Sequence, residues 1–457
     1  MRYLIAPACA ACLATYAPLA FADLTVGDPL QGGDFPDIQS AVDAAIEGED
    51  IHILPGAYVP PTIDGKSVRL FASSTGTVLL QDPSNPEGAA LTIRNLGAGQ
   101  FFFATGLDVD RQASPMSLLV EGPAVQIEDC QGLVHLQECT GVVSDLFPEE
   151  GGIGPGLAVD RSAKVVVVDC LFEGSSRVVQ GFSSTNEPAG VRCSDATLIA
   201  VRTRMTGHEA LDSGEFFLAA KSGSGLLATD DSDARLHDCV LVGGNSDLNP
   251  ASTLGVVDGS PALTADSSTV LVTGVESILE GGSGLPSGPF FSIDGEPCVS
   301  LDGGAVATIS SGVTFQPGLD SNGTPADEVE IVAGADPGTE VVLEPFQRPG
   351  LSATPPSGDL GSSLALALQG EPGAAELVFF SAGFSGAQLL PLSPDPVYLD
   401  LGSGMILGAL GLDAQGLGTL PLQVPGNPSL AGFVAWFQCF ETGSGRLSLP
   451  AAFTVVP

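Results

Sequence analysis

The sequence has few basic residues. Its 457 residues include 15 Lys and Arg against 54 Asp and Glu, which gives a formal net charge of −39 at pH 7. A charge of this size repels the phosphates of nucleic acids and the surface of anionic membranes, so neither is expected as a partner. The charge is compatible with a divalent cation such as Ca²⁺, although nothing in the composition requires a cofactor.

Tryptophan and tyrosine are also rare, with one Trp and four Tyr in the whole chain. Carbohydrate grooves often present aromatic rings to the faces of the sugars, and this sequence offers few candidates for that role. The four histidines, His52, His135, His208 and His237, are scattered, and no Cys-x-x-Cys motif follows residue 22. A zinc site therefore has no support, and the seven cysteines beyond residue 22 do not resemble a dense disulfide framework.

Long apolar runs are confined to the first residues. Arg2 precedes an apolar run from Tyr3 to Leu19, and Ala20-Phe21-Ala22 then fits the small-x-small cleavage rule. Residues 1–22 are therefore predicted to be a signal peptide, and the protein is predicted to be secreted or held at the cell surface. The run is shorter than the roughly 20 apolar residues that a membrane-spanning helix needs. Because no second long apolar run follows, no membrane span is predicted.

Glycine and proline are abundant, with 59 and 35 residues, and the glycines close an internal repeat. Each unit holds two short runs with the alternation of a strand, separated by a polar turn, and ends with Gly before a loop of variable length. The first apolar residues of successive units lie 32 to 37 residues apart, at Val125, Leu157, Val191, Leu226, Leu263 and Val299. A period of this length without an amphipathic helix predicts the coils of a right-handed parallel β-helix over residues 23–336.

The start of this region carries a resemblance to a known family. The stretch "IQSAVDAAIEGEDIHILPGAY", followed by "PTIDGKSVRLFAS", resembles the entry of secreted pectin-lyase-like β-helix proteins. The resemblance implies a short amphipathic helix that covers the open end of the solenoid, where apolar core and strand edges would otherwise face water. The superfamily includes lyases, hydrolases, adhesins and non-catalytic surface proteins, so the resemblance indicates the fold and leaves the activity open.

Alignment of the repeats produces a column of small residues on the inward face. Its members are Cys139, Cys170, Thr203, Cys239 and Ser277. We interpret this column as a ladder of small residues at a tight corner between strands. The alternative is a disulfide between adjacent coils, for example between Cys139 and Cys170, because the stacking distance of the coils would allow it.

The column just before the small residues points outward and is mostly acidic. Its members are Glu138, Asp169, Arg202, Asp238 and Glu276. One interpretation is a surface ladder in which Arg202 offsets the repulsion between carboxylates. The other is a site, in which the row binds Ca²⁺ or in which Asp169, Arg202 and Asp238 form the acid/base pair and Arg that β-helix lyases and hydrolases use.

A second group of acids, Asp230, Asp231 and Asp233, lies in the stretch "DDSD". These carboxylates are candidate metal ligands, although Asp is also common in turns because its side chain bonds to nearby backbone. The Asp-Asp pair resembles part of the polygalacturonase pattern. The Gly-His-Gly and Arg-x-Lys motifs that should follow the pair are absent, which argues against that hydrolase.

The repeat stops near residue 336, and a Pro/Gly/Ser-rich boundary at 337–362 precedes a different region. Residues 363–457 contain short strands at even spacing with Gly/Pro turns and no helix, which predicts a small antiparallel β-sandwich. The stretch "GLDAQGLGTLPLQVPGNPSLAGFVAWFQCF" resembles the C-terminal domain of many exported bacterial proteins. This resemblance implies an accessory or surface-attachment module, in which Trp436 is expected to lie in the core.

The sequence therefore predicts an all-β protein with a solenoid, a capping helix and an accessory sandwich. The favoured function is a non-catalytic protein that presents a long surface to an extracellular polysaccharide or another cell-surface component. The alternative is a polysaccharide lyase or glycoside hydrolase that acts on an extracellular polymer, with Ca²⁺ as its cofactor in the metal-dependent case. Fold analogy alone does not choose between these hypotheses.

Overall fold

A computed structural model gives the architecture of the chain. It describes residues 24–28, 32–73, 75–81, 91–112, 120–144, 152–175, 188–208, 222–245, 259–284, 295–320, 322–332, 336–345, 347–389, 393, 395–427, 430 and 432–455. The predicted signal peptide at 1–22 lies outside these residues. No helix within them is both long enough and apolar enough to cross a membrane.

Three parallel sheets, here called A, B and C, form the solenoid over the described residues. The strands of sheet A are Leu24–Val26, Glu49–Ile53, Val68–Ala72, Phe101–Thr105, Leu133–Gln137, Val165–Val168, Thr197–Val201, Asp233–His237, Thr269–Thr273, Val306–Ile309 and Glu340–Leu343. The strands of sheet B are Gly56–Tyr58, Val78–Leu80, Leu107–Gln112, Thr140–Ser144, Leu171–Glu173, Arg204–Thr206, Val240–Val242, Ile278–Glu280 and Thr314–Gln316. The strands of sheet C are Thr62–Asp64, Leu91–Arg94, Val125–Glu128, Leu157–Asp160, Val191–Ser194, Leu226–Thr229, Leu263–Asp266, Val299–Asp302 and Val329–Ile331. A short parallel pair, Val120–Glu121 with Gly152–Ile153, lies beside these sheets.

Each coil passes through sheets A, B and C in turn, and every strand pairs in parallel with the same strand of the next coil. The six anchors of the repeat lie opposite one another in sheet C, at Val125, Leu157, Val191, Leu226, Leu263 and Val299. All six side chains are buried in the solenoid core. The prediction of a parallel β-helix with these residues in one column is therefore confirmed.

The capping helix spans Ile38–Ala44, and its apolar face lies in the core at Ile38, Ala41 and Val42. Asp37 caps its N-terminus by accepting a hydrogen bond from the backbone N–H of Ser40 at 2.8 Å. The helix leads into the strand Glu49–Ile53, as the change of period in the sequence predicts. The strand Leu24–Val26, which was not predicted, precedes the helix and pairs with residues 51–53 at the end of sheet A.

The corners of the solenoid use left-handed backbone in register. Between sheets A and B, the non-glycine residues with positive φ are Glu138, Asp169, Arg202 and Asp238, with φ of 46° to 53°. Between sheets C and A they include Asn95, Asp129, Arg161, Asp195 and Asp230. Asp and Asn tolerate this conformation better than most residues, because their short side chains bond to nearby backbone. The recurrence of Asp at these positions is thus a consequence of corner geometry.

The column of small residues follows the corner between sheets A and B and faces the core. The Cys139, Cys170 and Cys239 sulfurs lie 3.2 to 3.4 Å from the carbonyl oxygen two residues earlier, across the left-handed residue. Thr203 makes the same contact at 3.1 Å. All seven cysteines of the described residues are free and buried. The interpretation as a corner ladder is confirmed, and the alternative Cys139–Cys170 disulfide is not formed.

The glycines that close the repeats flank the connections between sheets B and C. At these points a continuous chain of backbone hydrogen bonds connects successive coils. Its members are Gly223, Gly244, Ser260, Gly282, Glu296 and Gly318, with N···O distances of 2.9 to 3.0 Å. A Cβ on Gly282 would overlap the carbonyl oxygen of Gly244 and lie 2.9 Å from the backbone nitrogen of Ser260. Glycine is needed here because backbone packs directly on backbone.

Mainly antiparallel strands form the C-terminal domain, in which Ser357–Gly358 alone among the described strands pairs in parallel, with Ala451–Val455. One sheet, over the described residues, contains Gly350–Thr354, Ser363–Gln369 and Leu417–Gln423. The other contains Ser357–Gly358, Ala375–Ser381, Met405–Gly411, Val434–Glu441, Arg446–Leu447 and Ala451–Val455, and Phe384–Leu389 pairs separately with Pro396–Leu399. The two sheets share one apolar core, which makes the domain the predicted sandwich. The last solenoid strand, Glu340–Leu343, and the first sandwich strand, Gly350–Thr354, both fall within the predicted linker 337–362.

We predict that Gly282→Ala destabilises the solenoid, because the added methyl group has to displace packed backbone. Overpacking of this kind costs about 1 to 3 kcal/mol, which should lower the midpoint of thermal unfolding. Gly99→Ala is the matched control, because a Cβ at Gly99 meets no atom within 4 Å. Equal midpoints for the two variants would contradict the role assigned to Gly282.

Candidate functional site

The structure brings two of the three predicted catalytic residues together. Asp169 and Arg202 lie on adjacent coils and form a bidentate pair, with Nε–Oδ1 at 2.7 Å and Nη2–Oδ2 at 2.6 Å. Asp238 lies on the following coil, where its Oδ1 accepts a hydrogen bond from the backbone N–H of Glu276 at 3.2 Å. The Oδ2 of Asp238 lies 3.3 Å from Nε2 of His237.

These three residues lie along the seam between the solenoid and the C-terminal domain. Arg202 Nη2 donates to the carbonyl oxygen of Ala353 at 3.4 Å, and the backbone of Gly350 packs against the ring of His237. The side chains of Asp169, Arg202 and Asp238 are 23, 20 and 11 % exposed. A group that transfers a proton has to reach its substrate, so catalysis by these residues would need space at this seam. The catalytic assignment stays a prediction.

The three candidate metal ligands do not converge. Asp230 accepts hydrogen bonds from Ser194 Oγ at 2.8 Å and Thr229 Oγ1 at 2.9 Å, and these bonds, that of Ser194 first, lower the pKa of Asp230. Asp233 lies on sheet A and pairs with Arg235 at 2.9 Å, while Asp231 is exposed at the corner. Within the described ranges, no three His, Cys, Asp or Glu side chains are grouped so as to hold a metal ion.

Sequence reasoning missed the largest feature of this region, an apolar interface between the two domains. The outer face of sheet A contributes Val166, Val168, Ile199 and Val201, and the C-terminal domain contributes Val397, Tyr398, Leu399, Trp436, Leu447, Leu449 and Ala452. All these side chains are buried. A signal was present: Val165–Val168 is apolar at every position, as in strands covered on both faces.

Trp436 packs across this interface. Its ring lies 5.0 Å from that of His135 and 4.7 Å from that of Phe384, and His135 in turn lies 5.0 Å from Phe103. Burial lowers the pKa of His135 to about 3, so the imidazole is neutral at physiological pH. Trp436 is therefore buried, as expected, but against the solenoid as well as its own domain.

Polar contacts fix the position of the C-terminal domain on sheet A. Gln137 Nε2 donates to the carbonyl oxygen of Pro356 at 3.0 Å, and Thr454 Oγ1 donates to Gln137 Oε1 at 2.7 Å. Arg69 Nη1 donates to the carbonyl oxygen of Gly432 at 2.7 Å. Because these bonds lie on separate coils, they set both the register and the orientation of the domain.

A cluster of charges joins the segment after the last coil to the same interface. Arg348 pairs with Glu344 at 2.7 Å and with Asp395 at 2.6 Å, and Arg446 contacts the same two carboxylates. Asp395 also accepts a hydrogen bond from the backbone N–H of Leu447 at 3.1 Å. Largely buried charges of opposite sign that satisfy one another in this way disfavour alternative arrangements of the linker.

The corner between sheets C and A carries a row of carboxylates on successive coils, here called the corner ridge. In its first coils three acids pair with arginines, as Asp64–Arg94, Asp129–Arg161 and Asp160–Arg192. In the later coils the ridge continues with Asp195, Asp230, Asp231, Asp266 and Asp302. No Lys or Arg occurs between Arg235 and Arg348, so this part of the solenoid is acidic throughout.

Comparisons with known proteins add little to this description. No family model and no curated protein matches the sequence. A structure of the pectin methylesterase from Aspergillus niger in deglycosylated form is similar with a TM-score of 0.29 and 13 % identity, over 72 % of this chain and 86 % of that one. A complex of XylC with xylose gives a TM-score of 0.23 and 8 % identity, over 88 % and 100 %. Similarity this low carries no argument about activity, so the fold assignment rests on the strand pairing itself.

The C-terminal domain also buries two acids opposite each other. Glu376 and Glu441 are cross-strand partners, and neither is exposed. Glu441 accepts a hydrogen bond from the backbone N–H of Glu371 at 2.9 Å. Burial, and to a lesser extent the charge of Glu441, raise the pKa of Glu376 to about 8, against the opposing influence of the Cys439 thiol. Glu376 is thus mostly protonated at neutral pH.

We predict that Ile199→Asp detaches the C-terminal domain. Ile199 points away from the solenoid core, so the change places an unpaired carboxylate in the interface and leaves both domain cores intact. Small-angle scattering should report a larger radius of gyration. Ser300→Asp, on the half-exposed outer face of sheet C, is the control and should leave the radius unchanged. An unchanged radius for Ile199→Asp would contradict this account of the interface.

We predict that Glu376→Gln stabilises the C-terminal domain at high pH. The pKa of Glu376 is about 8 in the folded state, against 4.5 for the ordinary group. The protonated side chain therefore adds to the free energy of unfolding in full below pH 4.5, and this stabilisation is lost as the pH rises through 8. The gap in thermal midpoint between variant and wild type should therefore widen from pH 5 to pH 9. Glu280→Gln, at an exposed site on sheet B, should show no such trend.

Proposed function

We propose that this is a secreted or cell-surface β-helix protein that binds an extracellular polysaccharide or another surface component without cleaving it. The observation that supports the proposal most is that Asp169 and Arg202 both make structural contacts. Their charges are satisfied by each other, and Arg202 also bonds to the C-terminal domain at Ala353. A role in holding the domains together accounts for both residues.

The later coils of the corner ridge are the proposed binding surface. Acids occur at this corner on three successive coils, which are roughly 4.8 Å apart. Asp195 is followed by Asp230 and Asp231 on the next coil and by Asp266 on the one after, within one position of strict register. Such a row can accept hydrogen bonds from sugar hydroxyls along an extended chain. An anionic polymer would be repelled by these carboxylates, so binding to it would require Ca²⁺ as a bridge.

The alternative function is a polysaccharide lyase or glycoside hydrolase that uses Asp169, Arg202 and Asp238. One observation favours it: His237 lies between two potential partners, with Nε2 at 3.3 Å from Asp238 and Nδ1 at 3.0 Å from Thr273 Oγ1. An acid next to a buried histidine is an arrangement that catalytic sites use. In this hypothesis the C-terminal domain would form one wall of the site.

Incubation with polygalacturonate, alginate and xylan, with and without Ca²⁺, tests both functions. We expect retardation in affinity electrophoresis and no release of unsaturated or reducing ends. Replacing Asp195, Asp231 and Asp266 by Asn should weaken binding by about tenfold, since an exposed charged contact contributes roughly 0.5 kcal/mol and a tenfold change corresponds to about 1.4 kcal/mol. Release of new ends that is abolished by Asp169→Asn would establish the alternative instead.

A matched triple variant controls for net charge. Asp108→Asn, Glu173→Gln and Glu280→Gln remove the same charge from the outer face of sheet B. This variant should bind the polymers as wild type does. Equal losses in the two triple variants would mean that overall charge, and not the corner ridge, determines binding.

A further inference from the structure

The two ends of the solenoid are finished differently. At the first end, the helix Ile38–Ala44 and the strand Leu24–Val26 close the core, and the helix buries its apolar residues there. At the other end, the strands Thr314–Gln316, Val329–Ile331 and Glu340–Leu343 are the last members of sheets B, C and A. These three strands are here called the last coil.

The last coil carries inward-facing residues, and no further coil follows it within the described part of the chain. Ile331 continues the column of Leu301, and Leu343 continues the column of Ile309. Leu301 and Ile309 are 0 and 1 % exposed, whereas Ile331 is 48 % and Leu343 is 61 % exposed. Ile331 and Leu343 face inward, as Leu301 and Ile309 do in the coil before. Their exposure therefore results from the absence of a covering layer, and not from a side chain that points outward.

The C-terminal domain does not act as this cover. Among the described residues, its apolar contacts with the solenoid are made to the outer face of sheet A, at Val166, Val168, Ile199 and Val201. Val332, Val342 and Leu319 add to the exposed apolar surface near the last coil. Clustered apolar surface of this kind marks an interaction site in a protein that remains soluble.

Charge decides which partner fits. The exposed acids Glu328, Glu330, Asp336 and Glu340 lie in or beside the strands of the last coil. No Lys or Arg occurs between Arg235 and Arg348. Arg348 and Arg446, which reach this end at Glu344, are already paired with Glu344 and Asp395. Two copies meeting end to end would bring these carboxylates together, and charges at strand edges oppose pairing of identical edges. A partner with basic residues around an apolar face meets no such repulsion.

We propose that the last coil is the docking surface for another protein, which supplies an amphipathic segment with an apolar face and a rim of Lys or Arg. The apolar face covers Ile331 and Leu343, and the rim pairs with Glu330 and Glu340. The partner thus covers the apolar core at this end, as the capping helix covers it at the other end. The proposal is independent of glycan binding, because the corner ridge lies along the side of the solenoid.

A synthetic amphipathic Leu/Lys peptide is the probe, with the Leu/Glu peptide of the same pattern as its counterpart. We expect the Leu/Lys peptide to bind the full chain and to slow hydrogen exchange in Thr314–Gln316, Val329–Ile331 and Glu340–Leu343. Glu330→Gln with Glu340→Gln should weaken binding by about fivefold, and Leu343→Ser should weaken it as well. Leu343 is exposed, so its replacement should leave the thermal midpoint near that of wild type.

Asp108→Asn with Glu173→Gln is the control for charge, because it removes two acids from sheet B. Glu173 lies four strands from the last coil, or roughly 19 Å. Binding that this control weakens as much as the Glu330/Glu340 variant would overturn the proposal. Binding without protection of the last coil would also overturn it, as would a dimer of the free chain in which the same strands are protected.

Discussion

Stacking of each coil in register on the one before is the constraint on which the rest of the structure depends. Because every strand pairs with its equivalent, one position in the repeat becomes a continuous column, and all its members share one environment. The left-handed corners repeat at Glu138, Asp169, Arg202 and Asp238 for this reason. The small residues after them bond to the carbonyl two residues earlier for the same reason. At Gly282 the constraint acts through the backbone, since no side chain fits between the coils.

The same stacking produces flat outer faces, and one of them is covered by the C-terminal domain. Sheet A presents Val166, Val168, Ile199 and Val201 outward, and these residues would be a hydrophobic patch on an isolated solenoid. The seam also passes over Asp169 and Arg202. A domain that by sequence resembles a separate accessory module is thus integrated with the solenoid through a buried interface. Any function assigned to Asp169, Arg202 or Asp238 has to include the domain that lies against them.

The sequence is sufficient for the repeating features and insufficient for the features that join distant segments. The anchors from Val125 to Val299, the capping helix and the cysteine corner could be predicted, because each depends on local alternation and a constant period. The docking of the C-terminal domain could not, because alternation distinguishes inward from outward positions and does not report what covers an outward residue. The apolar run Val165–Val168 indicated that the outer face of this strand is covered. A strand of the repeat can also be apolar at every position, so the run alone did not predict the docking. The buried pair Glu376–Glu441 is 65 residues apart and becomes adjacent only through antiparallel pairing.

The distribution of charge gives the two halves of the solenoid different surfaces. In the first half, arginines bridge successive coils at the corner ridge, as Arg161 does with Asp129. Between Arg235 and Arg348 the sequence contains acids and no Lys or Arg, so the later ridge and the strands of the last coil carry no basic residue of their own. Repulsion within that half is a cost to the folded state, and stacking alone does not require acids at exposed positions such as Glu330 and Glu340. Acids that stability does not require are explained most directly by what they contact or exclude. For the side of the solenoid we propose contact with a ligand that carries hydroxyls or with a bridging cation. For the open end we propose that the acids exclude a second copy of the chain and attract a basic partner.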